Sequence, residues 1–175
     1  MRLIRCSAVL VSSLITMTLA GCSVEVSGRD DTGKATVDIS TPAGGVSVRT
    51  DEPAETGLPV YPGATILREG GEPESANVDV SAFGVEVKVA AGKFESADGN
   101  DKVLAFYREA MRRYGSVTEC EGEVDFEDDR AVCKPSWGAR EKQLVVGREG
   151  DQRIVVVKPR GDGSEINMVH VRVGG

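Results

Sequence analysis

The chain has 175 residues, 40% hydrophobic, 28% charged and only 5% aromatic, a balance that suits one soluble domain and excludes a polytopic membrane protein. Its 21 Lys plus Arg stand against 28 Asp plus Glu, a formal net charge of -7, so it carries no basic footprint for nucleic acid. One His and four Cys leave few ways to assemble a catalytic or metal centre.

In chain order, Arg2 and Arg5 precede an apolar run from Ala8 to Met17 that Ser12, Ser13 and Thr16 interrupt, and Leu19-Ala20-Gly21-Cys22 closes it. A charged start, a short apolar centre and small residues before a cleavage point make an export signal. The run falls short of the roughly 20 apolar residues that span a bilayer. Residues 1–21 therefore read as a signal peptide. The Leu-Ala-Gly-Cys ending resembles the lipobox of bacterial lipoproteins, which implies that Cys22 is lipidated through its thiol and becomes the first residue of the exported chain. The expected address is the bacterial cell envelope, with a membrane as partner through the lipid. Ser23 stands where lipoproteins of two-membrane bacteria carry aspartate for inner-membrane retention, so the periplasm-facing outer membrane is favoured. Loss of residues 1–21 removes Arg2 and Arg5 and no acid, which makes the exported part more acidic.

Residues 22–57 read as a lipidated tether. Val24, Val26, Val37, Ile39, Val46 and Val48 are its main apolar side chains, in short alternating segments separated by turn material such as Pro42-Ala43-Gly44-Gly45. Two readings stay open: a flexible spacer, or a small β-ribbon that needs a surface to dock on. The α+β globular domain is expected over 58–175. Pro62-Gly63 suits the centre of a type II turn leading into a strand at 64–67. Alternation at Val78 and Val80, then at Val85, Val87 and Val89, predicts two strands or a hairpin. Val103, Leu104, Phe106, Tyr107, Ala110, Met111 and Tyr114 recur at helical spacing. Ser96 and Asp98 stand at the start, and Arg112, Arg113 and Gly115 at the end. A strand near 116–120, an acidic run and β-rich segments at 143–147, 153–158 and 166–173 follow, the last three as an antiparallel meander. With no helical partner, the one amphipathic helix must pack on the mainly antiparallel sheet.

Val60-Tyr61-Pro62-Gly63-Ala64, taken with Val103-Leu104-Ala105-Phe106-Tyr107 and Tyr114-Gly115, resembles uncharacterised bacterial envelope lipoproteins that pair a Y-P-G-A turn with a V-x-x-F-Y helix ending in glycine. The resemblance spans residues 58–120 at motif level. It implies a fold and an address but brings no catalytic residue and no ligand.

Cys6 leaves with the signal and Cys22 takes the lipid, so Cys120 and Cys133 are the pair left to an oxidising compartment and are expected to form a disulfide. In the chain-entropy picture such a closure contributes about 3 kcal/mol. His170 alone cannot complete a zinc site with them, and it reads as a half-exposed strand residue. The acids Glu119, Glu121, Glu123, Asp125, Glu127, Asp128 and Asp129 fail the EF-hand pattern, because Arg130 stands where its glycine is required. Their alternation reads as a solvated, protected edge. Trp137 and Tyr61 each admit two roles, packing or contact with a partner. No nucleophile elbow, P-loop or dinucleotide fingerprint occurs. The expectation is a non-catalytic binding or structural module without cofactor or metal, whose partner is an envelope protein or component. The alternative is a small divalent-cation-binding or hydrolytic domain using the acidic segment 119–129.

Overall fold

A computed structural model describes residues 23–27, 35–50, 54–135 and 141–175. The fold is α+β: one helix on a large antiparallel sheet. Three strands come first, β1 (Ser23–Ser27), β2 (Thr36–Thr41) and β3 (Gly44–Arg49). Short pieces β4 (Thr65–Ile66), β5 (Arg68–Glu69) and β6 (Glu72–Pro73) lead into the long hairpin β7 (Ser75–Ala82) and β8 (Val85–Ser96). The helix α1 (Asn100–Met111) follows, then a 3-10 turn over Arg112–Tyr114. Five strands complete the chain: β9 (Thr118–Glu127), β10 (Arg130–Pro135), β11 (Lys142–Arg148), β12 (Asp151–Arg160) and β13 (Gly163–Gly174). The sheet order is β1-β2-β3-β7-β8-β13-β12-β11-β9-β10, with β4 adding to β8.

Val103, Leu104, Tyr107 and Met111 lie on one face of α1, and all four are buried. They meet Phe94 of β8, Leu144 and Val146 of β11, Val155 and Val157 of β12, and Ile166 and Met168 of β13. Burying each such side chain contributes on the order of 1.5–3 kcal/mol, so this contact is the main stabilising layer. The helix starts differently from the sequence expectation. Gly99 is the N-cap and no side chain caps the helix. The Ser96 Oγ instead accepts a bond from the Asp98 N–H (3.1 Å), and the Asp98 carboxylate accepts from the Tyr61 hydroxyl (2.7 Å) and from Lys102 (2.9 Å). At the other end Gly115, with φ 134°, takes a conformation that L side chains rarely adopt.

The packed part begins upstream of Leu58. Ala54 is 6% exposed and Thr56 fully buried, and Arg153 donates to the Thr56 carbonyl (3.2 Å) while lying over the Tyr114 ring at 3.8 Å. Further upstream, β3 pairs with β7 from Gly44↔Ala82 to Arg49↔Asn77, so β2 and β3 belong to the sheet and are no free tether. The ribbon reading applies to 35–50, and the surface it needs is the edge of β7. The flexible reading fails for 23–27 because these residues pair with β2.

The register lines up two rows of β-branched side chains on the sheet face away from the helix. One runs Val37, Val48, Val78, Val89, Val171, and the other Ile39, Val46, Val80, Val87, Val173. On the opposite face of the same strands stands the row Asp38, Ser47, Asp79, Lys88, Arg172.

Candidate functional site

Cys120 and Cys133 form a disulfide, with Cα atoms 5.3 Å apart. The bond spans a corner. Residues 118–121 of β9 pair with β11, whereas residues 122–127 pair with β10, and the change of partner falls at Gly122, whose φ is 105°. A residue with a Cβ would be strained there. The β9–β10 hairpin turns at Asp128-Asp129, both with positive φ, the conformation of a two-residue type I′ turn. It bends back so that Arg130 and Ala131 share a cleft of about 610 Å³ with Tyr114, Thr118, Val145, Arg148 and Arg153. Val145, on the face away from the helix, is thereby fully buried.

The acids of 119–129 thus stand on the exposed edge hairpin of the sheet, in line with the alternation read from sequence, and cations meet several of them. Glu119 pairs with Arg108 (2.6 Å) and Lys142 (3.8 Å), Glu121 with Lys142 (3.6 Å), and Asp125 with Lys134. The Lys134 ammonium holds the Asp125 carboxyl below its ordinary range, helped by the Phe126 N–H. Among the described residues, no three His, Cys, Asp or Glu side chains converge as a metal-binding set.

Tyr61 is 5% exposed, which removes it as a contact residue. Its ring meets Phe106 edge-on at 5.2 Å, and its N–H donates to the Tyr107 hydroxyl (3.1 Å). The bond to Asp98, with burial, raises the Tyr61 phenol pKa. Burial likewise pushes the Tyr107 phenol up. Tyr61 therefore seals the helix against the turn before β4. His170 sits on β13, a strand position as expected but more buried than half-exposed, with Nε2 3.2 Å from the Asp151 carboxylate and its side chain 16% exposed. Cys22 and Trp137 lie outside the described residues.

The sequence reading passed over a cluster of exposed apolar side chains. Among the described residues four large hydrophobic side chains are exposed: Ile39 (37%), Phe83 (91%), Val85 (50%) and Val173 (48%). The register puts them at one end of the sheet. Ser23, Ser40, Gly45, Ser81, Glu86 and Gly174 form a continuous row across six neighbouring strands, and each of the four lies within three positions of that row. Phe83 and Gly84 make the β7–β8 turn, and the Phe83 N–H donates to the Ala43 carbonyl (3.3 Å), so the β2–β3 and β7–β8 turns touch. The signal available in sequence was an aromatic residue in a two-residue turn, where Asn or Asp is favoured before Gly.

Comparison with known proteins finds no family model that matches the chain, and neither a curated protein nor a solved structure that matches it.

Proposed function

We propose that the chain is a lipid-anchored protein of the bacterial cell envelope whose α+β domain serves as a non-catalytic binding or structural module. The observation that supports the reading is the start of β1 at Ser23, one peptide bond after the cysteine of Leu19-Ala20-Gly21-Cys22. A chain cut before Cys22 keeps its first strand whole, and an acylated Cys22 ties the sheet to the membrane without a spacer. The disulfide agrees with an oxidising compartment. The cation-binding alternative draws no support from the acids of 119–129, of which Glu119, Glu121 and Asp125 already pair with Arg108, Lys142 and Lys134. In the outer-membrane form of the reading, Ser23 follows the acylated residue and the domain faces the periplasm. Its partner is an envelope protein or component.

Stable anchoring needs more than one acyl chain, because a single chain binds only marginally. Replacing Cys22→Ser should move the protein from the membrane to the soluble envelope fraction and abolish labelling by a fatty-acid probe. A Cys22→Ser protein that still sediments with membranes would overturn the reading.

A further inference from the structure

We propose that the apolar end of the sheet, formed by Phe83, Val85, Val173 and Ile39, rests in the interface of the lipid bilayer and fixes the orientation of the domain. The inference builds on the anchoring reading and goes beyond it: the membrane is a surface this fold is shaped to touch, as well as the place where the chain is tied. Ser23 stands in the same cross-strand row as Ser40, Gly45, Ser81, Glu86 and Gly174, so an acyl group on the preceding residue emerges at this end of the sheet. The described residues expose large apolar side chains at this end and no other.

The segments Thr41-Pro42-Ala43-Gly44-Gly45, Ser81-Ala82-Phe83-Gly84-Val85 and Val173-Gly174-Gly175 contain no charged side chain. Charges flank them at the same end: Glu86 in the row itself, paired with Lys88, and the β11–β12 turn with Arg148, Glu149 and Asp151, whose Gly150 carbonyl accepts from the Val173 N–H (2.6 Å). The proposed contact is therefore the tip formed by Phe83 and its neighbours, with these charges left at the headgroup level.

Phe83 makes the strongest single point. Its φ is 51°, in the left-handed region that costs a bulky side chain most, and its ring is 91% exposed, so packing within the domain gives nothing in return. A residue that breaks a local rule without an internal gain points to a gain outside the domain. An aromatic ring carried past the sheet end on a hairpin tip, beside a tethered acyl chain, is positioned to enter the headgroup and upper acyl region, about 5–10 Å deep.

The test uses the protein as bacterial cells mature it from the whole coding sequence, extracted from total cell lysate in detergent without selection for lipid and mixed with phosphatidylethanolamine and phosphatidylglycerol vesicles as the detergent is removed. Phe83→Trp keeps an aromatic ring at an exposed position, and Asp162→Trp places the same probe at the other end of the sheet. Emission is compared with that of the unsubstituted protein, whose one tryptophan is Trp137. The expected result is that the emission added by Phe83→Trp is lost in vesicles brominated high on the acyl chain, while that added by Asp162→Trp persists. If the protein floats with the vesicles and the added emission of Phe83→Trp is not quenched, the membrane-contacting end is overturned while the anchor stands. If it does not float and its N-terminal residue carries no acyl mass, the anchor and the contact built on it both fall.

Discussion

The two halves of the sheet share the same alternating strand pattern yet face different surroundings. On β11, β12 and β13 the inward side chains Leu144, Val146, Val155, Val157 and Ile166 are at most 1% exposed, because α1 lies over them. On β2, β3 and β7 the apolar side chains Val37, Val46, Val48, Val78 and Val80 are only half-buried, and the helix covers none of them. The apolar side also differs. Where the helix packs, the helix-facing side is apolar, whereas on β3 and β7 that side carries Ser47, Arg49, Asp79 and Asn77, and the valines stand on the reverse. A strand pattern thus specifies which side chains share a face, but a second layer decides whether the face becomes a core. One half owes its stability to packing against α1, and the other to hydrogen bonds along β7 and modest contacts between neighbouring valines.

A matched pair of truncations separates the two halves by the largest margin. Leu104→Ala removes a buried side chain from the helix layer and should destabilise the fold by about 3 kcal/mol in urea unfolding, cavity included. Val80→Ala, on the half-buried row, should cost below about 1 kcal/mol. Equal losses would mean that the reverse face is covered after all. Next in size is the disulfide. Reducing Cys120–Cys133 should lower stability by about 3 kcal/mol or somewhat less. The bond lies at the far end of the covered half, so the exchange of β2 and β3 amides under native conditions should stay nearly unchanged while amides of β9 and β10 exchange faster. Uniform acceleration would show that the halves open as one unit.

The smallest effect concerns Asp98, which joins the helix start to Tyr61. The Tyr61 hydroxyl, first, and Lys102, second, hold its carboxyl below the ordinary range. A lowered folded-state pKa contributes stability above the unfolded value, about 3.9 for aspartate, and that contribution disappears as pH falls through the folded value. Asp98→Asn should therefore flatten the acid limb of a stability-against-pH curve below about pH 4, leaving its slope near neutrality alone. An acid limb identical to that of the parent would show that the Asp98 carboxylate is not held by these partners.

Much of the covered half could be read from sequence. The spacing of Val103, Leu104, Tyr107 and Met111 named the buried face of α1, and the turns at Glu149-Gly150 and Gly161-Asp162 separated the last three strands. What escaped depended on partners distant in sequence. Tyr61 is buried because Tyr107 and Asp98 meet it across 46 and 37 positions, which no local pattern encodes. Residues 36–49 carry too little apolar surface to order themselves, and their strands exist because β7 offers an edge. The alternating acids of 119–127 did mark an extended edge, but the corner at Gly122, where β9 changes partner from β11 to β10, depends on a φ that sequence states only as a glycine. Of the candidate site, the cysteine pair was legible from counting the cysteines that the expected export signal leaves, while Phe83 was hidden inside an ordinary hairpin signal.

The pairing of β8 with β13 sets the order in which the fold can assemble. Ser96 meets Ser164 and Glu86 meets Gly174, so the strand that joins the two halves is the last in chain order among those described. Until it arrives, α1 has no complete surface to cover, and the early strands have only one another. Contacts of such long sequence separation require loop closure before any burial follows, which makes folding slow relative to helical proteins of similar size. The β1–β3 and β7–β8 meander can form first from neighbouring segments, but it is coreless and presents β8 as an open edge. In the finished sheet β13 both closes the gap between β8 and β12 and supplies Ile166 and Met168 to the surface that the helix covers.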